Sequence, residues 1–490
     1  MGTKFKKTID IISFVLLAAI LFDCTAFGGG SLVKIFGIDF RMVLYILFFV
    51  VSLPLVFFYI KPLLKNKFLW AVLAFSLWLL LSTANGILKG NRFDLILSSW
   101  IGFASFVILP GTLCVLRDKK QITSMMKVMI AASLILAIQS LLVLIAYQIF
   151  PWAVFDELNL FILYSELGGC TVVDDAVIRI FFRSHPLMIV SCAFCLYFSV
   201  FDNPKKHLKY CAYIAFFLFS LMLSYTRSIY FGILVSVAVL LPCFMFAASK
   251  EQKKVLYKVF GKTAAILIVL ILVCDVLFQG LFLSYGIYRT TGIDVAGKIT
   301  SALGIETSKE TSPTDSTEIG ITAPTEAVKP TAPVESTVPV ETTVPVEVQT
   351  DVNQISDRVR ETTQKELYKE IAQKPLVGHG IGAMLDARPE GDNEYFFLDV
   401  LFKMGVIGCI LYLLPLLFMV AYLIKSISTK HMQGHEMYIA WLSGLIGIVA
   451  FSWFNPYLNG TNGIVLYCIT MCAFSVYSDE QKTASPHNEQ

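Results

Sequence analysis

The sequence predicts an all-α protein: a polytopic membrane bundle of about twelve transmembrane helices, with a large extracytoplasmic loop between helices 9 and 10. Three observations carry that reading. The chain is 56% hydrophobic and 15% charged, with a mean hydropathy of +0.70, whereas soluble domains hold about 45–50% apolar and about 25% charged residues. Apolar runs approaching the roughly 20 residues that a bilayer span needs recur along the chain. Lysine and arginine crowd into every second connection between those runs, the asymmetry that orients membrane proteins.

The runs lie near 9–27, 42–60, 68–84, 95–116, 128–150, 186–201, 210–225, 228–248, 259–282, 396–424, 439–455 and 463–478. The first follows Lys4, Lys6 and Lys7 and lacks a small-residue cleavage site, so it reads as a retained span rather than a signal peptide. Basic connections carry Lys61, Lys65 and Lys67, then Arg117, Lys119, Lys120 and Lys127. Further along come Lys205, Lys206 and Lys209, then Lys250, Lys253, Lys254 and Lys258. Placing these in the cytoplasm puts both termini there and residues 283–395 outside. The expected organisation is helices 1–9 in 1–282, the outer loop in 283–395, helices 10–12 in 396–478 and a cytoplasmic tail in 479–490. The expected location is the plasma (inner) membrane.

Within the outer loop, 305–350 is built of Thr, Pro, Glu and Val in near-repeats. Such a tract cannot bury a core and reads as extended or disordered. It resembles extracellular stalk sequence of Gram-positive bacteria. Helical spacing returns over 352–373, where Val352, Ile355, Val359, Leu367 and Ile371 form an intermittent apolar stripe, predicting an amphipathic helix on the outer surface. A second outer segment, 151–185, reads as too polar and too long for a hairpin, with Leu158–Tyr164 as a part that dips into the interface.

A net charge of +3 gives no electrostatic case for nucleic-acid binding. The eleven cysteines fall mostly inside apolar runs without metal-ligand spacing, so no metal is expected. No Walker loop or dinucleotide turn is present, and no cofactor is expected.

The chain is organised around 374–408. A Gly-rich turn (Gly378, Gly380, Gly382) leads into an acidic run (Asp386, Glu390, Asp392, Glu394) and then abruptly into an apolar helix reaching about Ile424. Carboxylates thus sit where a polar loop enters the membrane, at a helix N-terminus whose dipole and free N–H groups favour anions. Pro375-Leu376-Val377-Gly378-His379-Gly380, Asp392-Asn393-Glu394-Tyr395 and Gly405-Val406-Ile407-Gly408 together resemble the O-antigen ligase / Wzy-type polymerase family of membrane glycosyltransferases. The histidine usual there is absent. Aligning Asp-Asn with the family's His-Asn puts Asp392 in its place, whereas counting back from the glycine pair puts Glu394 there.

The resemblance implies an undecaprenyl-diphosphate-linked glycan as donor and a glycan or lipid acceptor hydroxyl, with chemistry on the outer face. Beside the carboxylates, it implies a catalytic Arg227, in Thr226-Arg227-Ser228, and Arg360, fifteen residues before Pro375. The tryptophan usual four residues after the arginine is Gln364 here. Substrate-binding candidates are Arg179 and its neighbour Arg183 ahead of Pro186, Arg289 after the ninth span, His379 within the turn, which is also an alternative base, and Asn393. Asp399 and Lys403 stand i,i+4, the spacing of a helical ion pair, and Gly405 and Gly408 read as helix-packing glycines. Arginine suits a diphosphate because its planar fork meets phosphate oxygens bidentately and keeps its charge. The implied activity is inverting, metal-independent transfer in capsule, exopolysaccharide or O-antigen synthesis, as polymerase or ligase, beside other polysaccharide-assembly proteins. The alternative is a transporter or flippase of the same lipid-linked oligosaccharide. Against it stand the missing internal repeat and the clustering of reactive groups at one face rather than at mid-membrane.

Overall fold

The computed structural model describes residues 3–35, 38–173, 177–202, 204–277, 352–389, 391, 393–428 and 434–484. The calls on the 305–350 tract, on Arg289 and on Asp392 lie outside the described residues. The helices are α1 (Thr3–Ala26), α2 (Phe40–Phe58), α3 (Lys67–Leu88), α4 (Phe93–Val115, with a 3-10 turn at Ala104–Ile108), α5 (Lys119–Ile149), α6 (Trp152–Tyr164) and α7 (Leu187–Tyr197). They continue with α8 (His207–Met222), α9 (Arg227–Ala247), α10 (Lys250–Leu277), α11 (Val352–Gln373), α12 (Phe396–Ser428), α13 (Glu436–Ser452) and α14 (Thr461–Ala484). Among the described residues nine helices are long and apolar enough to cross a membrane. The protein is an all-α membrane bundle that carries, among the described residues, two small antiparallel strand pairs. Helices dominate because a bilayer offers no partner to backbone N–H and C=O groups, so each spanning segment must satisfy its own.

Helix starts follow local chemistry. Asp118 caps α5 by accepting from the Gln121 N–H at 2.7 Å, and the Gln121 Oε1 accepts in turn from the Asp118 N–H, a reciprocal capping box. Pro151 stops the helix from continuing into α6. The core is seamed by small residues. A Cβ on Gly447 would meet the Gly232 carbonyl oxygen at 2.8 Å, so α9 and α13 approach backbone to backbone. Trp441 on α13 is fully buried against Phe194 of α7, ring centroids 4.5 Å apart. An aromatic cluster of Phe75, Phe103, Phe106, Phe396, Tyr412 and Tyr467 packs α3, α4, α12 and α14 together through edge-on and tilted ring contacts.

The bundle has two distinct ends. At one, Arg117 pairs with Asp10 at 2.9 Å and lies over Tyr59, and Asn66 reaches Ser475 at 3.0 Å, among the lysine-rich connections. At the other, the Arg41 Nε donates to Asp23 at 2.6 Å while its Nη1 donates to the Gly28 carbonyl and to Asn462, tying α1, α2 and α14. Asp23 and Arg41 are both buried.

Two expectations are corrected. Residues 151–185 do contain a hairpin: α6 is followed by strands Gly168–Val173 and Val177–Phe182, paired antiparallel. Val172, Val173, Val177, Ile178, Ile180, Phe181 and Phe182 supply the β-branched and aromatic residues that favour a pleated surface. Leu158–Tyr164 forms the C-terminal half of α6. Second, the apolar helix from 396 does not run unbroken. Gly405 holds φ +68° and ψ −175° inside α12, a conformation essentially restricted to glycine, and splits it into two half-helices. The predicted amphipathic helix over 352–373 is α11; Leu367 is fully buried, whereas Val359 faces out.

Candidate functional site

The break at Gly405 organises the site. A broken helix leaves carbonyls without partners, and at membrane depth these must be recaptured. The Gly-rich loop does so. The His379 N–H donates to the Phe402 carbonyl at 2.8 Å and the Gly380 N–H to the Lys403 carbonyl at 2.9 Å. Ser82 and Trp78 of α3 donate to the Lys403 and Met404 carbonyls at 3.1 and 3.0 Å. Below the break, the Val406 N–H donates to the Pro375 carbonyl at 2.8 Å and the Ile407 N–H to that of Leu376 at 3.3 Å. Gly378 and Gly380 hold positive φ in this lock, and the His379 and Gly380 N–H groups are spent on α12 rather than offered to an anion.

The turn between α3 and α4 fastens the loop from the other side. Lys89 Nζ donates to the His379 carbonyl at 3.2 Å, Asn91 Nδ2 to the Ile381 carbonyl at 3.0 Å and Arg92 Nη1 to the Pro389 carbonyl at 3.3 Å. Burial, and then the neighbouring Lys374 ammonium, lower the Lys89 pKa. From α11, the Glu366 carboxylate accepts from the Asp386 and Ala387 N–H groups at 2.8 and 3.1 Å. Leu367, Ala383, Leu385 and Phe402 form a small core of their own beneath it.

This framework presents one carboxylate to two guanidiniums. Arg360 of α11 donates through Nε to Glu394 Oε2, and Arg388 of the loop donates through Nη2 to Glu394 Oε1 at 3.0 Å. The Glu394 side chain is 32% exposed, Arg360 44% and Arg388 21%, so the group is open to solvent but partly walled. One residue back, Asn393 is buried and donates to Asp399 Oδ1 at 2.7 Å. Lys403 Nζ lies 2.9 Å from Asp399 Oδ1 and also donates to the Gly391 carbonyl at 3.2 Å. Both members of that i,i+4 pair are buried and line a polar cavity of about 200 Å³ with Ser98, Ser99 and Asn459.

Arg227 opens α9 with an exposed side chain. The preceding turn places buried Tyr225 at φ +44°, and Arg179 holds it, donating to the Ser224 carbonyl at 2.9 Å and to Thr226 Oγ1 at 3.3 Å. Arg227 is at the same end of the bundle as Glu394. Asn455, three residues past α13, donates to Ser228 at 2.7 Å, and Trp453 packs on Phe397, three residues after Glu394.

The structure therefore brings Arg360 to Glu394 and places Arg227 and Arg179 at that end. Arg183 pairs with Glu166 at 3.0 Å on an exposed surface. His379 is used in packing: Nε2 meets the Glu370 carbonyl at 2.9 Å and the ring lies against Phe402. Arg388 and Glu366 join the candidate site although sequence reasoning passed over them; the signal for Arg388 is a lone arginine six residues before Glu394 among Asp386, Glu390 and Asp392. Buried His185 accepts from the Phe182 N–H through Nδ1 and meets Ser140 at 3.0 Å through Nε2, a structural tie between the end of the second hairpin strand and α5. Among the described residues no three His, Cys, Asp or Glu side chains gather as a metal-holding group. Chemically, the arrangement offers fixed cations for an oxyanion and a carboxylate within their reach. Compared with known proteins, the chain matches no family model, and no curated sequence matches it.

Proposed function

We propose that the protein is a membrane glycosyltransferase that moves a glycan from a polyprenyl-diphosphate carrier to an acceptor hydroxyl, in the manner of the O-antigen ligases and Wzy-type polymerases its 374–408 segment resembles. The observation that carries the reading is the Arg360–Glu394–Arg388 group at the mouth of α12, with Arg227 presented at the same end. A diphosphate is already a good leaving group, so transfer needs cations to offset the charge that builds on it and a base for the incoming alcohol. The acceptor O–H gives its proton to the carboxylate of Glu394 or Asp392. Its oxygen bonds to the anomeric carbon, and the C–O bond to the diphosphate breaks with its electron pair going to the diphosphate. One such in-line displacement inverts the anomeric centre.

The lysine-rich end of the bundle supports a cytoplasmic placement for that end, with the Glu394 end at the outer leaflet of the plasma membrane. The apolar helices α7, α8 and α13 beside the nine longer ones support a twelve-span plan with both termini inside.

Purified protein given lipid-linked glycan in vitro tests the reading. Arg227→Ala and Glu394→Gln should each lower transfer at least about 100-fold, the usual contribution of a positioned base or charge, while leaving membrane insertion intact. Full activity in both variants removes the assignment. Reconstituted vesicles that move the lipid across without lengthening or re-attaching glycan favour a flippase instead.

A further inference from the structure

We infer that Arg360 and Arg388 form a diphosphate-binding site and that the Glu394 carboxylate fills it when substrate is absent. The inference deepens the proposed function and rests on it. A carboxylate and a phosphoryl group both offer guanidinium groups two anionic acceptor oxygens, so one can stand in for the other. Glu394 does this with both oxygens: Oε2 takes Arg360 and Oε1 takes Arg388 at 3.0 Å. The two arginines come from different elements, α11 and the 374–395 loop, and one carboxylate bridges them.

The surroundings let that carboxylate leave without unfolding anything. The backbone on either side is pinned: Asn393 is buried and bonded to Asp399, and Phe396 is fully buried in the aromatic cluster. The Glu394 side chain between them is partly exposed, so rotation about its own bonds is enough. Arg388 is held in place independently, because Glu366 on α11 fixes the two N–H groups just before it. A diphosphate carries more charge and more acceptor oxygens than a carboxylate and outcompetes it for the same two donors. The displaced carboxylate is then unpaired beside the bound donor, where it can accept the acceptor's proton. The base is thus held silent until the leaving group arrives.

The test is binding, separate from turnover. The full-length protein in nanodiscs is titrated with undecaprenyl diphosphate lacking sugar, and in a second arm with inorganic pyrophosphate. Glu394→Gln, which keeps the shape but removes the charge, should tighten undecaprenyl diphosphate binding roughly five- to tenfold while transfer is lost, the scale expected for two partly exposed ion pairs. Arg360→Ala and Arg388→Ala should each weaken it by at least about tenfold. Tightening in the pyrophosphate arm as well locates the effect at the diphosphate; tightening with the lipid alone also supports the exchange and shows that the polyprenyl chain is needed to seat it. Unchanged or weaker binding by Glu394→Gln overturns the exchange, even where Glu394 remains necessary for transfer. If neither the wild type nor any variant binds polyprenyl diphosphate, the glycosyltransferase reading falls with it.

Discussion

Replacing Gly405 by alanine should disable the protein through its backbone. Gly405 sits at φ +68°, ψ −175°, a region in which an L side chain costs about 1–3 kcal/mol. The added Cβ would also press into the Leu376 carbonyl, well inside van der Waals contact. Relief requires the Pro375–Gly380 loop to withdraw from α12. That withdrawal threatens four backbone bonds: His379 to Phe402, Gly380 to Lys403, Val406 to Pro375 and Ile407 to Leu376. At about 1 kcal/mol net each, loss of half of them together with the strain gives a destabilisation of about 3–5 kcal/mol. Trp78 provides a local reporter, since its indole N–H donates to the Met404 carbonyl beside the break. Thermal unfolding of detergent-solubilised protein followed by tryptophan fluorescence should show an earlier transition, and limited proteolysis should cut the 374–395 loop faster. A Gly405→Ala protein with wild-type unfolding and wild-type protease resistance would refute the argument that this loop completes a broken helix.

Other outcomes follow from single contacts. Asp23→Asn removes the charge facing buried Arg41, so it should destabilise by about 3–5 kcal/mol, whereas the double change Asp23→Leu with Arg41→Leu should recover much of that loss in the same unfolding assay. Glu366→Ala frees the Asp386 and Ala387 N–H groups; transfer should fall roughly tenfold with little change in unfolding temperature, and Glu366→Gln should restore part of it. Cys170, on the strand that follows α6, is a buried thiol whose pKa burial pushes up to about 12. Because only the thiolate reacts, it should resist membrane-impermeant maleimide at pH 8 in folded protein and react once the protein is denatured; rapid labelling of the native protein would show the hairpin to be open.

Much of the bundle was legible because bilayer chemistry writes directly into composition. Each apolar run of the sequence has a helix, and the lysine-rich connections gather at one end. Gly405 was harder to read. A Gly-x-x-Gly pair commonly means close helix packing, which Gly408 against Trp78 illustrates. A positive φ at Gly405 becomes visible only when the Pro375–Gly380 loop is docked beside it. The hairpin within 151–185 is hard to see in the sequence because charged residues such as Asp156, Glu157 and Glu166 mask the strand-forming pattern that follows. The resemblance points to Arg360 and Glu394, which the fold brings together, whereas Arg388, the second cation on Glu394, matches no motif position. Its place depends on Glu366, 22 residues upstream, and on a fold-back that local sequence does not encode.

Because its upper segment, Phe396–Met404, is hydrogen-bonded to a loop and to α3 rather than continued into its lower segment, α12 behaves as two rods with a joint. The depth and tilt of the upper rod are set by what grips it laterally, not by the rise of a helix from mid-membrane. Glu394 rides on the tip of that rod and Arg388 on the gripping loop, so a shift of one relative to the other changes the geometry of their ion pair. Substitutions on the α3–α4 turn, which holds the loop through Lys89, Asn91 and Arg92, should therefore be felt at the carboxylate without altering any residue that touches it.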